Sequence, residues 1–191
     1  DGLKAYMQDP TLTTRELMKY VKGPDFPTGG IVCNKDDLLS IYETGTGKIK
    51  LRGKVDVEKG KNGHVNIVIS EIPYTMVGAN ISKFLMDVAA LAETKKTNDI
   101  VDITNQSGKD GIRIVIECKR DTDTEQFINM LYKKTKLEDT FGVNMLAVAN
   151  GRPETLSLAQ VFKHCADFQF EVATRKYRNL LNKEQDKREV Q

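Results

Sequence analysis

The sequence has little of what metal centres and disulfide scaffolds require. Its 191 residues contain no Trp, two His and three Cys. Cys33, Cys118 and Cys165 lie far apart, so neither a disulfide framework nor a CxxC metal site is expected. Two His are too few for a His-rich metal centre. We therefore expect no metal site in this chain.

Charge of one sign and long apolar runs are also lacking. Lys and Arg number 29 against 27 Asp and Glu, a net charge of +2, so any binding to nucleic acid requires a local patch. No apolar run approaches the roughly 20 residues of a membrane helix, and residues 1–10 show no signal peptide pattern. These absences predict a soluble, cytoplasmic protein with no membrane partner.

The apolar residues that are present follow the periods of strands and helices. They make up 39% of the chain, which suffices for a sizeable core. Alternating patterns predict strands and helical spacing predicts amphipathic helices. The strands are predicted near 48–58, 64–72, 100–104 and 112–118, and the helices over 78–93 and 125–134. The expected fold class is α/β (α+β), with a mixed or antiparallel sheet covered by helices.

The last part of the chain predicts one long helix. From Ser157 onward the sequence contains no Gly or Pro, and its apolar residues give way to a charged run by Lys183. At about 1.5 Å per residue, such a helix reaches roughly 50 Å. We therefore predict two parts, an α/β domain over residues 1–156 and the start of a long projecting helix over residues 157–191.

A short glycine-rich segment ends in a lysine but does not form a phosphate-binding loop. Residues 45–48 read Gly-Thr-Gly-Lys. The P-loop pattern requires Gly where Tyr42 stands and Ser or Thr where Ile49 stands. The chain therefore carries no nucleotide-binding motif of this type.

Four cations recur at every second residue of one predicted strand, and we call them the basic stripe: Lys48, Lys50, Arg52 and Lys54. Side chains two residues apart project from the same strand face at about 6.6 to 6.8 Å spacing, which suits a phosphate backbone. A solvated strand face whose lysines discourage edge aggregation accounts for the same spacing. Both interpretations remain open at the level of the residues alone.

Five ordered motifs carry a resemblance to a known family. They read GPDFPTGG at 23–30, YETGTGK at 42–48, EIPY at 71–74, GIRIVIE at 111–117 and TFGVNM at 140–145. In this order they resemble the tower domain of the A subunit of bacterial type IIA topoisomerases, DNA gyrase and topoisomerase IV. The resemblance covers residues 3–177, nearly the whole chain. It implies that residues 1–156 are tower-like and that residues 157–191 begin a coiled-coil arm that is truncated here.

The resemblance implies that this chain is part of an ATP-dependent enzyme. Such an enzyme cleaves one DNA duplex, passes a second duplex through the break and reseals it. The tower supports the bent gate duplex, so the implied partners are double-stranded DNA, a second A subunit and the B subunit. Mg²⁺ and ATP are expected on that B subunit, with no cofactor held by this fragment. The basic stripe becomes the implied DNA-binding surface, because sequence-neutral binding rests on phosphate contacts.

The resemblance assigns no catalytic residue to this chain. In the family the catalytic tyrosine follows an arginine in an upstream winged-helix domain. The tyrosines of this chain follow Ala5, Lys19, Ile41, Pro73, Leu131 and Lys176. The implied fragment is therefore inactive alone.

Two stretches depart from the family pattern. The usual acidic turn is replaced by Thr-Asn-Gln-Ser-Gly at 104–108, and an arginine pair is missing from 167–172. A non-catalytic nucleic-acid-binding module or a protein-interaction module of the same fold class stays open as the alternative function.

Overall fold

The computed structural model describes residues 1–190 as a mixture of helices and antiparallel strands, which confirms the predicted α+β class. The helices are α1 (Gly2–Gln8), α2 (Thr14–Leu17), α3 (Leu38–Thr44), α4 (Ala79–Glu93), α5 (Thr124–Lys134) and α6 (Leu158–Val190). The strands are β1 (Ile31–Val32), β2 (Thr46–Arg52), β3 (Lys54–Lys59), β4 (Val65–Glu71), β5 (Ile100–Asn105), β6 (Ile114–Cys118), β7 (Glu138–Asn144), β8 (Leu146–Ala149) and β9 (Arg152–Thr155).

The chain divides into two compact units that each combine separate segments. The first unit comprises Asp1–Pro24, Asp36–Gly47 and the segment from Val143 onward, and the second comprises Asp25–Lys35 and Lys48–Gly142. The first unit thus takes residues from both sides of the predicted boundary at 156. That boundary, as a division between domains, stays a prediction.

The second unit is built around a four-stranded antiparallel sheet in the order β3-β4-β6-β5. Alternate residues of β4 and β6 point to one face, where Ile67 pairs with Ile116 and Ile69 with Ile114. Apolar residues of α4 and α5 pack on this face, because both helices repeat apolar side chains at helical spacing. The buried core cluster contains Ile67, Ile69, Ile72, Met76, Phe84, Val88, Ile114, Ile116, Cys118, Phe127, Leu131 and Leu137.

A break at Gly53 corrects the predicted strand 48–58. The segment forms two strands, because β2 pairs in a sheet of order β1-β2-β7 whereas β3 belongs to the four-stranded sheet. The Gly53 N–H donates to the carbonyl oxygen of Leu137 at 2.8 Å. Val57, which alternates with charged residues in this segment, is 49% exposed. Charged residues thus occur at every second position on both sides of Gly53, although the strands before and after it belong to different sheets.

The first unit packs α1, α2, α3 and the start of α6 around a small core. One cluster of buried side chains in this core consists of Leu17, Tyr42 and Leu158. The rings of Tyr6 and Phe162 stack with centroids 6.1 Å apart. Gly45 ends α3 with φ of 79°, and a Cβ there would overlap the carbonyl oxygen of Leu156. The β8 and β9 strands form an antiparallel hairpin in the same unit.

The predicted long helix is confirmed as α6. Ser157 and Gln160 cap its start reciprocally, with the Gln160 N–H donating to the Ser157 hydroxyl at 3.2 Å and the Ser157 N–H donating to the Gln160 side chain at 2.9 Å. Residues 167–190 are exposed throughout. Within residues 1–190, no helix combines the length and the apolar character needed to cross a membrane.

Replacing Gly53 by Ala should destabilise the chain. A Cβ at this position would lie 2.5 Å from Leu137 Cδ1 and 2.7 Å from the Glu71 carbonyl oxygen, and that oxygen is fixed in β4. Forced contacts of this kind cost about 1 to 3 kcal/mol. The free energy of unfolding, measured by urea titration, should fall by this amount. Gly142→Ala is the matched control, because nothing lies within 4 Å of its Cβ position. Equal stability of the two variants would contradict the role of Gly53.

Candidate nucleic-acid interface

The basic stripe is exposed, and most of it lies on one strand. Lys48, Lys50 and Arg52 alternate along β2 and point to solvent. Ile49 and Leu51, which point to the opposite face of β2, are each 1% exposed. Lys54 follows the break and begins β3 as an exposed residue. The structure therefore brings three of the four predicted cations onto one strand face and places the fourth at the start of the next strand.

The side chain of Asn34 holds β2 in place beneath the stripe. Strand β1 pairs only Ile31 with Arg52 and Val32 with Leu51. Beyond it, Asn34 Nδ2 donates to the Lys48 carbonyl oxygen at 2.9 Å, and Asn34 Oδ1 accepts from the Lys50 N–H at 2.7 Å. The amide side chain thus satisfies the same donor and acceptor that another strand residue would satisfy. It fixes the backbone on which Lys48 and Lys50 are mounted.

Glu138 of β7 contacts two cations of the stripe. The Arg52 Nε donates to Glu138 Oε2, and the Lys50 Nζ lies 3.9 Å from Glu138 Oε1. The hydrogen bond to Glu138 raises the pKa of Arg52. The Glu138 side chain is 20% exposed, whereas those of Lys50 and Arg52 are 54% and 44% exposed. The carboxylate is thus less accessible than the two cations that it pairs.

An aromatic ring completes the support of Arg52. The guanidinium carbon lies 4.8 Å from the centroid of the Tyr132 ring, within the range of a cation–π interaction. The Tyr132 hydroxyl donates to the carbonyl oxygen of Gly53 at 2.9 Å. Since Tyr132 belongs to α5, this contact joins the break between the sheets to the helix that covers the core.

The two outer cations of the stripe differ from the inner pair. Across residues 1–190, Lys48 and Lys54 form no ion pair with any carboxylate. The positive run ends after Lys54, since the exposed residues Asp56 and Glu58 follow on β3. The stripe thus contains two unpaired and two paired cations, with a change of sign at one end.

Three of the five sequence motifs meet in the second unit. Glu71 Oε2 accepts a hydrogen bond from the Gly30 N–H at 2.7 Å, which joins the EIPY motif to the GPDFPTGG loop. Phe26 lies 5.1 Å from Phe141 and 6.0 Å from Tyr74, between ring centroids. The aromatic contacts add the TFGVNM motif to the same cluster. The motifs therefore form a packed support within the unit that carries the stripe.

Sequence reasoning identified the cations but missed the residues that hold them. Asn34, Tyr132 and Glu138 follow no periodic pattern that singles them out, and they reach the stripe from other segments of the chain. Among residues 1–190, no group of three or more His, Cys, Asp or Glu side chains is placed to hold a metal ion. The expected absence of a cofactor stays a prediction.

Comparison with known proteins assigns the class. The whole chain, residues 1–191, matches the family of the DNA gyrase/topoisomerase IV A subunit. The A subunit of DNA gyrase from Clostridium acetobutylicum is 43% identical over 176 residues, which cover 92% of this chain and 21% of that relative. The A subunit of DNA topoisomerase 4 from Staphylococcus epidermidis is 37% identical over 177 residues, which cover 93% of this chain and 22% of that relative.

These matches confirm the resemblance inferred from the motifs. A third relative, the A subunit of DNA gyrase from Streptococcus pneumoniae, is 39% identical over 178 residues, covering 93% of this chain and 21% of the relative. The chain belongs to the family of A subunits of DNA gyrase and topoisomerase IV. It spans about a fifth of the length of these curated relatives.

The cysteines provide a chemical test of the burial on which this geometry depends. Burial raises the pKa of the Cys118 thiol to about 12, whereas partial desolvation raises the pKa of the Cys33 thiol although its side chain is accessible. Because the thiolate is the reactive form, iodoacetamide at about pH 8 should modify exposed Cys33 and Cys165 and leave Cys118 intact. Mass spectrometry of the folded chain should show two labels, and the urea-unfolded chain should show three. Labelling of Cys118 in the folded chain would contradict the packing of β6.

Proposed function

We propose that this chain is the DNA-binding tower part of the breakage-reunion subunit of an ATP-dependent type IIA DNA topoisomerase, either gyrase or topoisomerase IV. In this role the basic stripe contacts the flanks of the bent gate duplex. Membership of the A-subunit family supports the enzyme class. The observation that carries the DNA contact is the row of exposed Lys48, Lys50 and Arg52 on one face of β2.

The geometry of the stripe fits recognition of a phosphate backbone. Lys and Arg side chains that contact phosphates release counterions, so binding is independent of sequence and depends strongly on salt. The stripe has a rigid base, because Asn34 fixes the backbone of β2 and Tyr132 supports Arg52. Cations on a fixed strand backbone give up less backbone freedom on binding than the same side chains on a flexible loop. These features favour a supporting DNA contact over a solvated strand face.

The proposal places the chemistry and the cofactors outside this chain. The partners are double-stranded DNA, a second A subunit and a B subunit that holds Mg²⁺ and ATP. The exposed helix α6 begins the coiled-coil arm, in keeping with residues 167–190 being exposed. The tower contributes binding of the duplex, and the catalytic tyrosine belongs to another part of the enzyme.

A protein-interaction module is the alternative function, and one observation favours it. Helix α6 exposes large apolar side chains that no residue in the range 1–190 covers, among them Phe168, Phe170, Tyr177 and Leu181. A module of this kind would bind another protein through α6 and have no measurable affinity for duplex DNA. Measuring duplex binding therefore separates the two functions.

Replacing the four cations of the stripe by Gln should weaken binding to any duplex. Fluorescence anisotropy with a labelled duplex of roughly 30 base pairs, long enough to bend, measures the affinity at several salt concentrations. The slope of log affinity against log salt should become shallower by up to about 0.9 for each phosphate that the variant no longer neutralises. The stability of the fold should change by less than about 0.5 kcal/mol for each lysine, because these side chains are exposed, and by about 1 kcal/mol for Arg52, which also contacts Glu138 and Tyr132.

A second quadruple variant controls for net charge in this experiment. Four exposed lysines of the same unit that lie outside the stripe are replaced by Gln: Lys95, Lys96, Lys133 and Lys134. The control should keep the wild-type salt slope.

Duplex DNA should also slow the labelling of Cys33, whose N–H donates to the Lys50 carbonyl oxygen at 2.8 Å, but not that of Cys165. Identical salt slopes for the stripe variant and the wild type would refute the proposed DNA contact.

The chain alone should neither relax nor cleave supercoiled plasmid. The family resemblance implies that the nucleophile is a tyrosine that directly follows an arginine. None of the tyrosines of this chain follows an arginine. Agarose gel electrophoresis of plasmid incubated with the chain, Mg²⁺ and ATP, with and without a B subunit, provides the measurement. A complete topoisomerase serves as the positive control. Relaxed or linear plasmid produced by the chain would contradict the proposal that the nucleophile lies elsewhere.

A further inference from the structure

The paired half of the stripe has a feature that a simple DNA-binding surface does not need. Glu138 pairs with both Arg52 and Lys50. A carboxylate held between a guanidinium and an ammonium group occupies the kind of position that a phosphate takes in a complex, because both anions accept charge-assisted hydrogen bonds. The protein therefore provides its own anion for the two cations in the middle of the stripe.

The neighbouring carboxylate shows that this contact is particular to Glu138. Asp139 is the next residue of β7 and has nearly the same exposure, 22% against 20% for Glu138. Its carboxylate lies 3.6 Å from the Lys136 Nζ and makes no ion pair with the stripe in residues 1–190. Two adjacent acidic residues of equal charge and similar burial thus differ in whether they pair with the stripe.

We propose that Glu138 is a positioning residue that competes with DNA phosphate for Lys50 and Arg52 and so lowers the affinity of the stripe for duplex DNA. This inference rests on the proposed function and adds a mechanism that limits its strength. Binding of a duplex exchanges the Glu138 contacts for phosphate contacts and brings the carboxylate close to the DNA. Lys48 and Lys54 make their contacts without such an exchange, because no carboxylate in residues 1–190 pairs with them.

Competition of this kind gives the stripe a moderate affinity. A tower that holds the flanks of a duplex without sequence preference can bind and release the duplex more easily when its phosphate contacts form and break readily. Exchange of one anion for another at Lys50 and Arg52 keeps both cations partnered in either state, so neither state leaves an unpaired cation. The Tyr132 ring, 4.8 Å from the Arg52 guanidinium carbon, keeps its contact whichever anion is bound.

The test compares E138Q with D139N in the full chain. Each variant removes one negative charge and keeps the shape of the side chain, but only E138Q removes the carboxylate that pairs with the stripe. E138Q should bind a duplex of roughly 30 base pairs about two- to fivefold more tightly than the wild type at about 50 mM salt, the range expected for exposed ion pairs. Its salt slope should steepen by less than the roughly 0.9 of one full phosphate contact, because both chains make the same phosphate contacts and E138Q loses only a competing ion pair that salt weakens. D139N should keep the wild-type slope.

A second background shows whether the effect acts through the two cations. In a chain that carries K50Q and R52Q, the addition of E138Q should raise the affinity less than it does in the wild type, because the cations that Glu138 holds are gone and only the repulsion between its carboxylate and the DNA is relieved. Circular dichroism and thermal unfolding of every variant establish that each one folds. Glu138→Ala provides a second removal of the carboxylate and should match E138Q in salt slope.

The outcomes distinguish this inference from the proposed function. Tighter binding and a steeper slope for E138Q, absent from D139N and reduced in the K50Q/R52Q background, support it, whereas an equal gain in that background overturns it. Unchanged or weaker binding by E138Q, while the quadruple stripe variant still binds less tightly than the wild type, overturns the role of Glu138 and leaves the DNA-binding function intact. No binding by the wild-type chain at about 50 mM salt, where phosphate contacts are strong, overturns both.

Discussion

The close approach of β2 to β7 at Gly53 is the constraint on which the rest of the second unit depends. The Gly53 N–H is bonded to Leu137 and its carbonyl oxygen accepts from Tyr132, so both of its backbone polar groups are satisfied while the strand changes sheet. Leu137 is fully buried in the core, and Glu138 follows it directly on β7. The contact that packs Leu137 therefore also places Glu138 beside Arg52. The backbone contact between Gly53 and Leu137 thus connects the buried core to the charged surface.

The sequence predicts the regular elements well wherever burial alternates with exposure. Helices α4 and α5 and strands β4 and β6 carry the core, and their apolar spacing defines them within a few residues. The break at Gly53 was not predicted, because charged residues occur at every second position on both sides of it and the alternation hides the change of sheet. Strands β8 and β9 were also missed. Almost all of their residues are exposed, so no apolar period marks them.

The residues of the candidate site are of two kinds, those close together in sequence and those brought together only by the fold. The cations lie within seven residues of one another and were found from their spacing alone. Glu138 reaches Arg52 from 86 residues away, and Asn34 reaches Lys48 from 14 residues away, so no local pattern connects them. The motifs indicate the family and not these contacts. Of the aromatic cluster, Phe26, Tyr74 and Phe141 each belong to a different motif, and only the fold shows that they touch.

The sorting of charge along the strands explains how a chain of net charge +2 can present a cationic surface. Positive side chains occupy every second position from 48 to 54, and Asp56 and Glu58 follow on β3. Glu58 is itself paired with Arg113, whose hydrogen bonds lower the pKa of that carboxyl, so it is negatively charged at neutral pH. Electrostatic attraction to a duplex extends only about 8 Å at physiological salt. If the stripe contacts DNA as proposed, a phosphate backbone near Lys48 is attracted, whereas one that moves past Lys54 meets the carboxylates of Asp56 and Glu58. In the proposed contact, the change of sign within β3 limits how far along the strand a duplex can lie.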